Sequence, residues 1–369
     1  MSEVGPQKVG DVSVNRAGIS SEIGSQIWNF GRWLTNEDEY SDIIISSRIR
    51  LARNLKGTPF PNRIKTVQAR KILHEVRNAC SKCPSLGESR FYEIRKLSKW
   101  DRKYFVERRL ASPQLIESDK PAMLVVGPNE ILSIMVNEED HLRMQSIEAG
   151  LGIENAWRTI STVDDEIEEH LVFSYSSKFG YLTACPTNIG TGLRVSIFVH
   201  LPALSLQENV NEVINELPTS EIAVRGFYGE GSESVGNIFQ ISNQLTLGRT
   251  EENIVERITR IAMRLTDLER EARDDLLKND RIKLEDAVYR AVGLLQKAKI
   301  MSSLEAMNLI SNVRLGYELG LLKNLSRMAL HQLMVLVQPA HLQKLFEKEL
   351  HSQERDVVRA KFIRQYLKI

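Results

Sequence analysis

The apolar residues of this chain change their period partway along, and that change limits the fold more than any other feature. Up to about residue 250 they fall in short runs: DIIIS at 42–46, MLVV at 123–126, ILSIMV at 131–136, GYLT at 180–183, VSIFV at 195–199 and IAVR at 222–225. Runs this short, bounded by turn residues such as GPNE at 127–130, predict β-strands, with a hairpin joining the second and third. Helical patterns intervene irregularly, so an antiparallel α+β sheet fits better than a repeated βαβ unit. Beyond Thr250 the spacing becomes three and four. Ile254, Ile258, Ile261, Leu265 and Leu268 form one stripe; Leu284, Val288, Ala291 and Leu295 form another. Thr250 is placed to cap the first helix, and Ser302 with Glu305 fits a capping box for a later one. Such stripes bury either an internal core or a dimer interface. The expected organisation is a loose tail over 1–20, a catalytic domain over 21–265, and an all-helical domain over 275–369, the boundary falling in the charged segment EREARDDLLKND.

Composition narrows the function. Lys+Arg (49) and Asp+Glu (48) nearly cancel, leaving a net charge of +1, which argues against a strongly basic nucleic-acid binder. No apolar run approaches the roughly 18 residues of a membrane span, and the N-terminus lacks the pattern of a secretory signal. Three cysteines do not make a disulfide framework, so a reducing cytoplasm is expected. Cys80 and Cys83 form a lone C-x-x-C with no second pair to complete a metal site.

Four segments concentrate chemistry. In SSRIR at 46–50, Arg48 and Arg50 sit two apart, so an extended chain projects both to one side as an anion site; alone, the segment also reads as a solvated edge strand. NEEDHLR at 137–143 either starts a helix with Asn as cap or presents a carboxylate to a site. CPTNIGTGLR at 185–194 sets a cysteine beside small polar residues, Gly190 and Gly192; beside arginines a cysteine is poised as a thiolate, and glycines let backbone N–H groups approach an anion. RGFYGEGSE at 225–233 reads alone as a flexible surface turn. No Walker-type loop is present.

Together, and in this order, the four segments and ISNQLTLGRTEEN at 241–253 resemble the phosphagen (guanidino) kinase family. The similarity runs from Asp42 to about Asn253. The short stretch before SSRIR, the helical C-terminus and RDVVRA at 355–360 resemble the bacterial protein-arginine kinase (McsB type) branch. That resemblance implies a glutamine-synthetase-like catalytic fold with ATP phosphates held by Ser47, Arg48, Arg50, Arg143, Arg194 and Arg225. It implies Glu139 as the catalytic carboxylate, Cys185 as the reactive cysteine beside the guanidinium, and Glu230 as a second substrate carboxylate. Phe198 stands where creatine kinases have a histidine, a departure shared with arginine-phosphorylating members.

The chemistry suits those residue types. A guanidinium, with a pKa of about 12 to 14, is a poor nucleophile. Two carboxylates can grip its planar fork and one can accept its proton; Glu139 is the expected base and Glu230 the clamp. Five arginines answer the charge of ATP, with Mg²⁺ expected on phosphates and water rather than in a protein cage. The few residues before SSRIR are too short for a lid over a free amino acid, so a protein-borne arginine is the expected substrate. By resemblance, the product marks proteins in stress and quality control for a Clp-type protease, an activator protein assists, and the chain is a homodimer. RDVVRA is either a charged helix face or, by resemblance, an allosteric phosphoarginine pocket in which Arg355 and Arg359 hold phosphate and Asp356 the guanidinium. Two other functions fit the residues less well: a kinase of a small guanidine metabolite, and a phosphoarginine-binding adaptor.

Overall fold

The computed structural model describes residues 27–218, 220–226 and 235–367. The expected tail over 1–20 lies outside them, as does Glu230.

Elements follow in chain order as β1 (Ile44–Arg53), α1 (Thr66–Cys80), β2 (Arg90–Glu93), α2 (Lys99–Glu107), α3 (Pro113–Ile116), β3 (Met123–Val126), β4 (Leu132–Val136), β5 (Leu142–Ala149) and α4 (Ile153–Glu168). They continue through β6 (Tyr175–Ser176), β7 (Gly180–Tyr181), β8 (Leu193–His200), α5 (Pro202–Leu206), α6 (Val210–Asn215), β9 (Ile222–Gly226) and β10 (Ile238–Asn243). The helical part comprises α7 (Glu251–Asn279), α8 (Arg281–Lys297), α9 (Ser303–Glu318), α10 (Arg327–Leu336), α11 (Pro339–Leu345) and α12 (Ser352–Tyr366).

Eight strands form one antiparallel sheet in the order β2-β3-β4-β5-β1-β8-β10-β9, and β6 with β7 makes a separate hairpin. The antiparallel α+β architecture is the one expected. β1 is longer than its sequence pattern suggested: SSRIR lies inside the strand, not after it. Alternation along β1 then gives the sheet two unlike faces. Ile49 and Leu51 are buried toward α4 and α7, together with Val195, Ile197 and Ile241 of neighbouring strands. Arg53 fixes that assignment, since its guanidinium holds Asp164 of α4 at 3.1 Å and 2.5 Å. The even-numbered residues of β1 face the other way, toward the site.

Thr250 caps α7 by accepting the N–H of Asn253, as expected. The helix runs unbroken through EREARDDLLKND, and the chain turns at Asp280. Both apolar stripes are core of this chain: Ile254, Ile258 and Leu265 pack under the sheet, and Leu284, Val288, Ala291 and Leu295 are buried among α8, α9 and α12. Polar contacts tie the later helices to the sheet part. Glu107 accepts from the N–H groups of Ala340 and His341 at 2.7 and 3.0 Å, and Ser311 bonds His200 at 2.7 Å.

Candidate active site

Register brings the arginines together. Arg50 is opposite Arg194 on β8, Ala52 opposite Arg143 on β5, and Gln240, opposite Phe198, is opposite Arg225 on β9. Directly opposed residues in a sheet point to the same face, so Arg48, Arg50, Arg143, Arg194 and Arg225 share one. Burial, then repulsion from Arg143, Arg194 and Arg225, pushes the Arg48 guanidinium down to about 9. Burial and the charges of Arg48, Arg143 and Arg194 hold Arg50 well below its ordinary value, with Glu138 opposing. Arg48 and Arg50 are thus held as cations against burial and their neighbours' repulsion, which a polyanion would relieve.

Ser47 does not join them. It is an odd-numbered residue of β1, fully buried on the helix-covered face, and its hydroxyl donates to the Gly150 carbonyl at 2.7 Å. Grouping it with the phosphate ligands overlooked strand alternation. Ser47→Ala is expected to cost about 1 kcal/mol of stability and leave turnover within about twofold, as read by denaturant melts and steady-state rates.

NEEDHLR is a hairpin connection between β4 and β5 rather than a helix start. Its first residue, Asn137, adopts φ 59° and donates to the carbonyls of Ala69 and Pro121. Glu138 is buried, accepts from Arg143 at 2.6 and 2.8 Å and from Ser112, and caps the N–H of Glu139 at 3.0 Å. Burial works to raise Glu138, but Arg143 outweighs it and the carboxyl titrates below its usual range. Burial likewise works to lower Arg143, and Glu138 with Glu139 and Asp140 more than reverses that. Glu139 is half-buried and is raised, first by burial and then by Asp140, with Arg143 and Arg194 opposing. Of the three acids, Glu139 alone combines partial exposure with a raised carboxyl, the condition of a base.

Asp140 links this loop to the cysteine. Its Oδ1 accepts from Asn54 Nδ2 at 2.6 Å and from the N–H of Ala184 at 2.7 Å, one residue before Cys185. His141 completes the support: Leu55 N–H donates to its Nδ1 at 3.0 Å, its Nε2 lies 3.0 Å from the Pro59 carbonyl, and burial pushes the ring down to about 4, so it stays neutral. Cys185 is partly exposed, with its sulfur 3.0 Å from the Thr187 hydroxyl. Gly190 and Gly192, at φ 116° and 67°, serve packing: a Cβ on either would meet backbone of Thr246 or Ala52 at 2.7 Å. Close backbone approach at positive φ requires glycine at both positions.

The sequence pattern missed Glu138 and Arg109. Glu138 sat in view within NEED, but nothing local separated it from Glu139. Arg109 adopts φ 62°, places its guanidinium 3.4 Å from the centre of the Phe198 ring, and accepts Gln145 Nε2 at its carbonyl at 2.6 Å. That contact joins residues distant in sequence, so no periodicity could announce it.

The RDVVRA residues lie on α12. Arg359 is buried, donating to the carbonyls of Val337 and Met301 at 2.8 Å and to Asp356 at 2.5 Å. Arg355 donates to the Leu350 carbonyl at 2.8 Å. Of the two arginines expected to hold phosphate, Arg359 is therefore turned inward, while Arg355 is half-buried. Cys80 and Cys83 are buried at the end of α1, and burial pushes their thiols up to about 12 and about 11.

The candidate site thus joins the arginine face of the sheet to the Glu139 loop and, through Asp140, to the segment that carries Cys185. Residues 71–272 match the model of the ATP:guanido phosphotransferase C-terminal catalytic domain, and residues 281–369 match that of the protein-arginine kinase McsB C-terminal domain. The chain belongs to the ATP:guanido phosphotransferase family, whose reaction class is phosphoryl transfer between ATP and a guanidino group. A protein-arginine kinase of Moorella thermoacetica is 46% identical over 339 residues, covering 91% of this chain and 97% of its own length; one from Halothermothrix orenii is 44% identical, covering 92% and 97%. Among solved structures, a substrate-free duplicated taurocyamine kinase from Schistosoma mansoni aligns with TM-score 0.54 at 26% identity, over 65% of this chain and 34% of that one. A lombricine kinase, at 21% identity and TM-score 0.54 over 64% and 70%, shares the fold.

Proposed function

We propose that this chain transfers the γ-phosphoryl group of ATP to arginine side chains in proteins. The observation that carries the proposal is the junction of the five-arginine face with a half-buried Glu139 on a loop bonded to the Cys185 segment. Arg48, Arg50, Arg143, Arg194 and Arg225 hold the phosphates. Glu139 orients a terminal guanidinium nitrogen of the substrate and accepts its proton. The freed lone pair attacks the γ-phosphorus, the bond to the β–γ bridging oxygen breaks, and ADP leaves with that electron pair. Cys185 is proposed to contact the guanidinium fork, and Glu230, outside the described residues, to be its second carboxylate.

Among the described residues no group of three or more His, Cys, Asp or Glu is arranged to hold a metal ion. Mg²⁺ is proposed to arrive on the nucleotide phosphates, where it neutralises their charge. The names of the relatives support protein substrates over a metabolite, as does their coverage of nearly the whole chain. Labelled ATP offered with free arginine or with unfolded protein tests this: acid-labile phosphate on the protein and not on the free amino acid is expected, and the reverse overturns it.

Glu139 sets a pH dependence. A base works only when deprotonated, and a raised carboxyl means that activity is lost as pH falls through a value above the ordinary carboxylate range. The acid limb of kcat/KM is expected there; a limb at ordinary carboxylate values would remove Glu139 as the base.

The wider setting is part of the same reading. No described helix is long and apolar enough to cross a membrane, and all three cysteines are free, which fits the proposed cytoplasmic location. A homodimer, an activator protein and delivery of the product to a Clp-type protease complete it. Arg355 and Asp356 are proposed as phosphoarginine ligands on α12, with buried Arg359 holding Asp356 in place. Arg355→Ala is expected to keep basal turnover within about twofold and to abolish any rate change produced by added phosphoarginine; an unchanged response excludes the pocket.

A further inference from the structure

The two loops of the candidate site meet at Asn54, the residue that follows β1. Its side-chain amide is fully used: Nδ2 donates to Asp140 Oδ1 at 2.6 Å and to the Leu182 carbonyl at 3.1 Å, and Oδ1 accepts the N–H of His141 at 2.9 Å. Its backbone carbonyl accepts the N–H of Ser174 at 2.7 Å, and the next residue, Leu55, bridges Phe173. Asp140 completes the clasp, since its Oδ1 also accepts the N–H of Ala184 at 2.7 Å. Beside it, the Thr183 hydroxyl donates to the Cys185 carbonyl at 2.7 Å. Asn54 and Asp140 are each 1% exposed, so water does not compete for these bonds. Glu139 directly precedes Asp140, and Cys185 directly follows Ala184. Each of the two functional side chains is therefore one peptide unit from a residue held in the clasp.

Holding two loops together does not by itself call for a charge. An asparagine at 140 would accept the same two bonds at its amide oxygen, and a buried carboxylate costs more than a buried amide. That cost is visible: burial raises the Asp140 carboxyl, with the Ala184 N–H, Asn54 and Arg143 opposing and Glu138 adding. The charge acts on Glu139. Burial and then Asp140 raise the Glu139 carboxyl, with Glu138 adding, while Arg143 and Arg194 lower it. Arginines that attract a nucleotide weaken a nearby carboxylate as a base, and an anion on the adjacent residue restores its proton affinity.

We propose that Asn54 and Asp140 are positioning residues for the transfer, a clasp that fixes the Glu139 loop and the Cys185 segment relative to each other about one substrate guanidinium. Asn54 supplies the geometry, and the charge of Asp140 sets how readily Glu139 takes the proton. The inference rests on the proposed arginine phosphorylation with Glu139 as base. A displacement of about 1 Å at a reacting group costs about 100-fold in rate, which sets the effect expected when the clasp is lost.

Two substitutions in the full chain, assayed with ATP and an unfolded protein that carries arginines, separate these roles. Asp140→Asn keeps the acceptor for both bonds and removes the charge. Its acid limb of kcat/KM is expected to move to lower pH, toward the ordinary carboxylate range, with kcat on the plateau within about tenfold of the original. Asn54→Ala keeps the charge and removes the bonds to Asp140, Leu182 and His141. Its kcat is expected to fall about 100-fold, with KM for ATP within about twofold. An acid limb that stays in place in Asp140→Asn overturns the role of the charge. A kcat within about twofold of the original in Asn54→Ala overturns the clasp, as does a rise in KM for ATP as large as the fall in kcat. Should Asn54→Ala not fold, Asn54→Asp, which keeps the acceptor for His141 and loses the donor to Asp140, is read against the same outcomes. Absence of phosphoarginine with the unsubstituted protein would instead overturn the underlying activity.

Discussion

Glu139→Ala is expected to lower kcat by about 100- to 10,000-fold, the range for loss of a positioned general base, with KM for ATP little changed. The five arginines sit on strands that Glu139 does not support, so nucleotide binding survives. Stability should hold or rise slightly, because the substitution removes a carboxylate that burial and Asp140 disfavour. Glu138→Ala makes the contrast. It leaves Arg143 buried without the carboxylate that holds it at 2.6 Å, and is expected to cost about 3 to 5 kcal/mol in a denaturant melt. Similar losses of turnover and of stability in both variants would contradict the division of labour between these neighbours.

Arg48→Met is expected to lower kcat/KM by about 100- to 1000-fold while raising the melting temperature of the nucleotide-free protein. Arg48 is pushed down to about 9 by burial and by three neighbouring arginines. A cation whose folded value is depressed destabilises the fold while charged, and stability returns as pH rises from about 9 toward its unfolded value. Methionine keeps much of the side-chain volume and removes the charge, so repulsion on Arg50 falls as well. Calorimetry with and without nucleotide reads both effects. The unsubstituted protein should gain more stability from ATP than Arg48→Met does. An Arg48→Met protein that melts lower in the absence of nucleotide would show that the arginine face is not assembled against strain.

Much of this was legible in the residues, for definable reasons. The shift of apolar spacing near Thr250 is local, and it foretold both the sheet and the helices. Arg48 and Arg50 could be put on one face because alternation in a strand is a local rule. The same rule, applied one residue further, would have excluded Ser47. What the sequence did not reveal depends on contacts between distant segments. Arg109 meets Phe198 only through the fold, and NEEDHLR becomes a hairpin because β4 and β5 pair on either side of it. Gly190 and Gly192 looked like anion-binding glycines, yet their positive φ values and close backbone neighbours are tertiary facts. Helical spacing correctly set Arg355 and Arg359 on one helix, but it could not say that Arg359 points inward to Val337 and Met301.

The central claim is that the phosphoryl group ends on an arginine nitrogen. Mass spectrometry at neutral pH of an unfolded protein incubated with this enzyme and ATP, with fragments that localise the modified side chain, tests it most directly. Phosphate is expected on arginine, to appear with the unsubstituted enzyme and to vanish with Glu139→Ala. Phosphate localised to serine, threonine or tyrosine, or found on arginine undiminished with Glu139→Ala, would contradict the account.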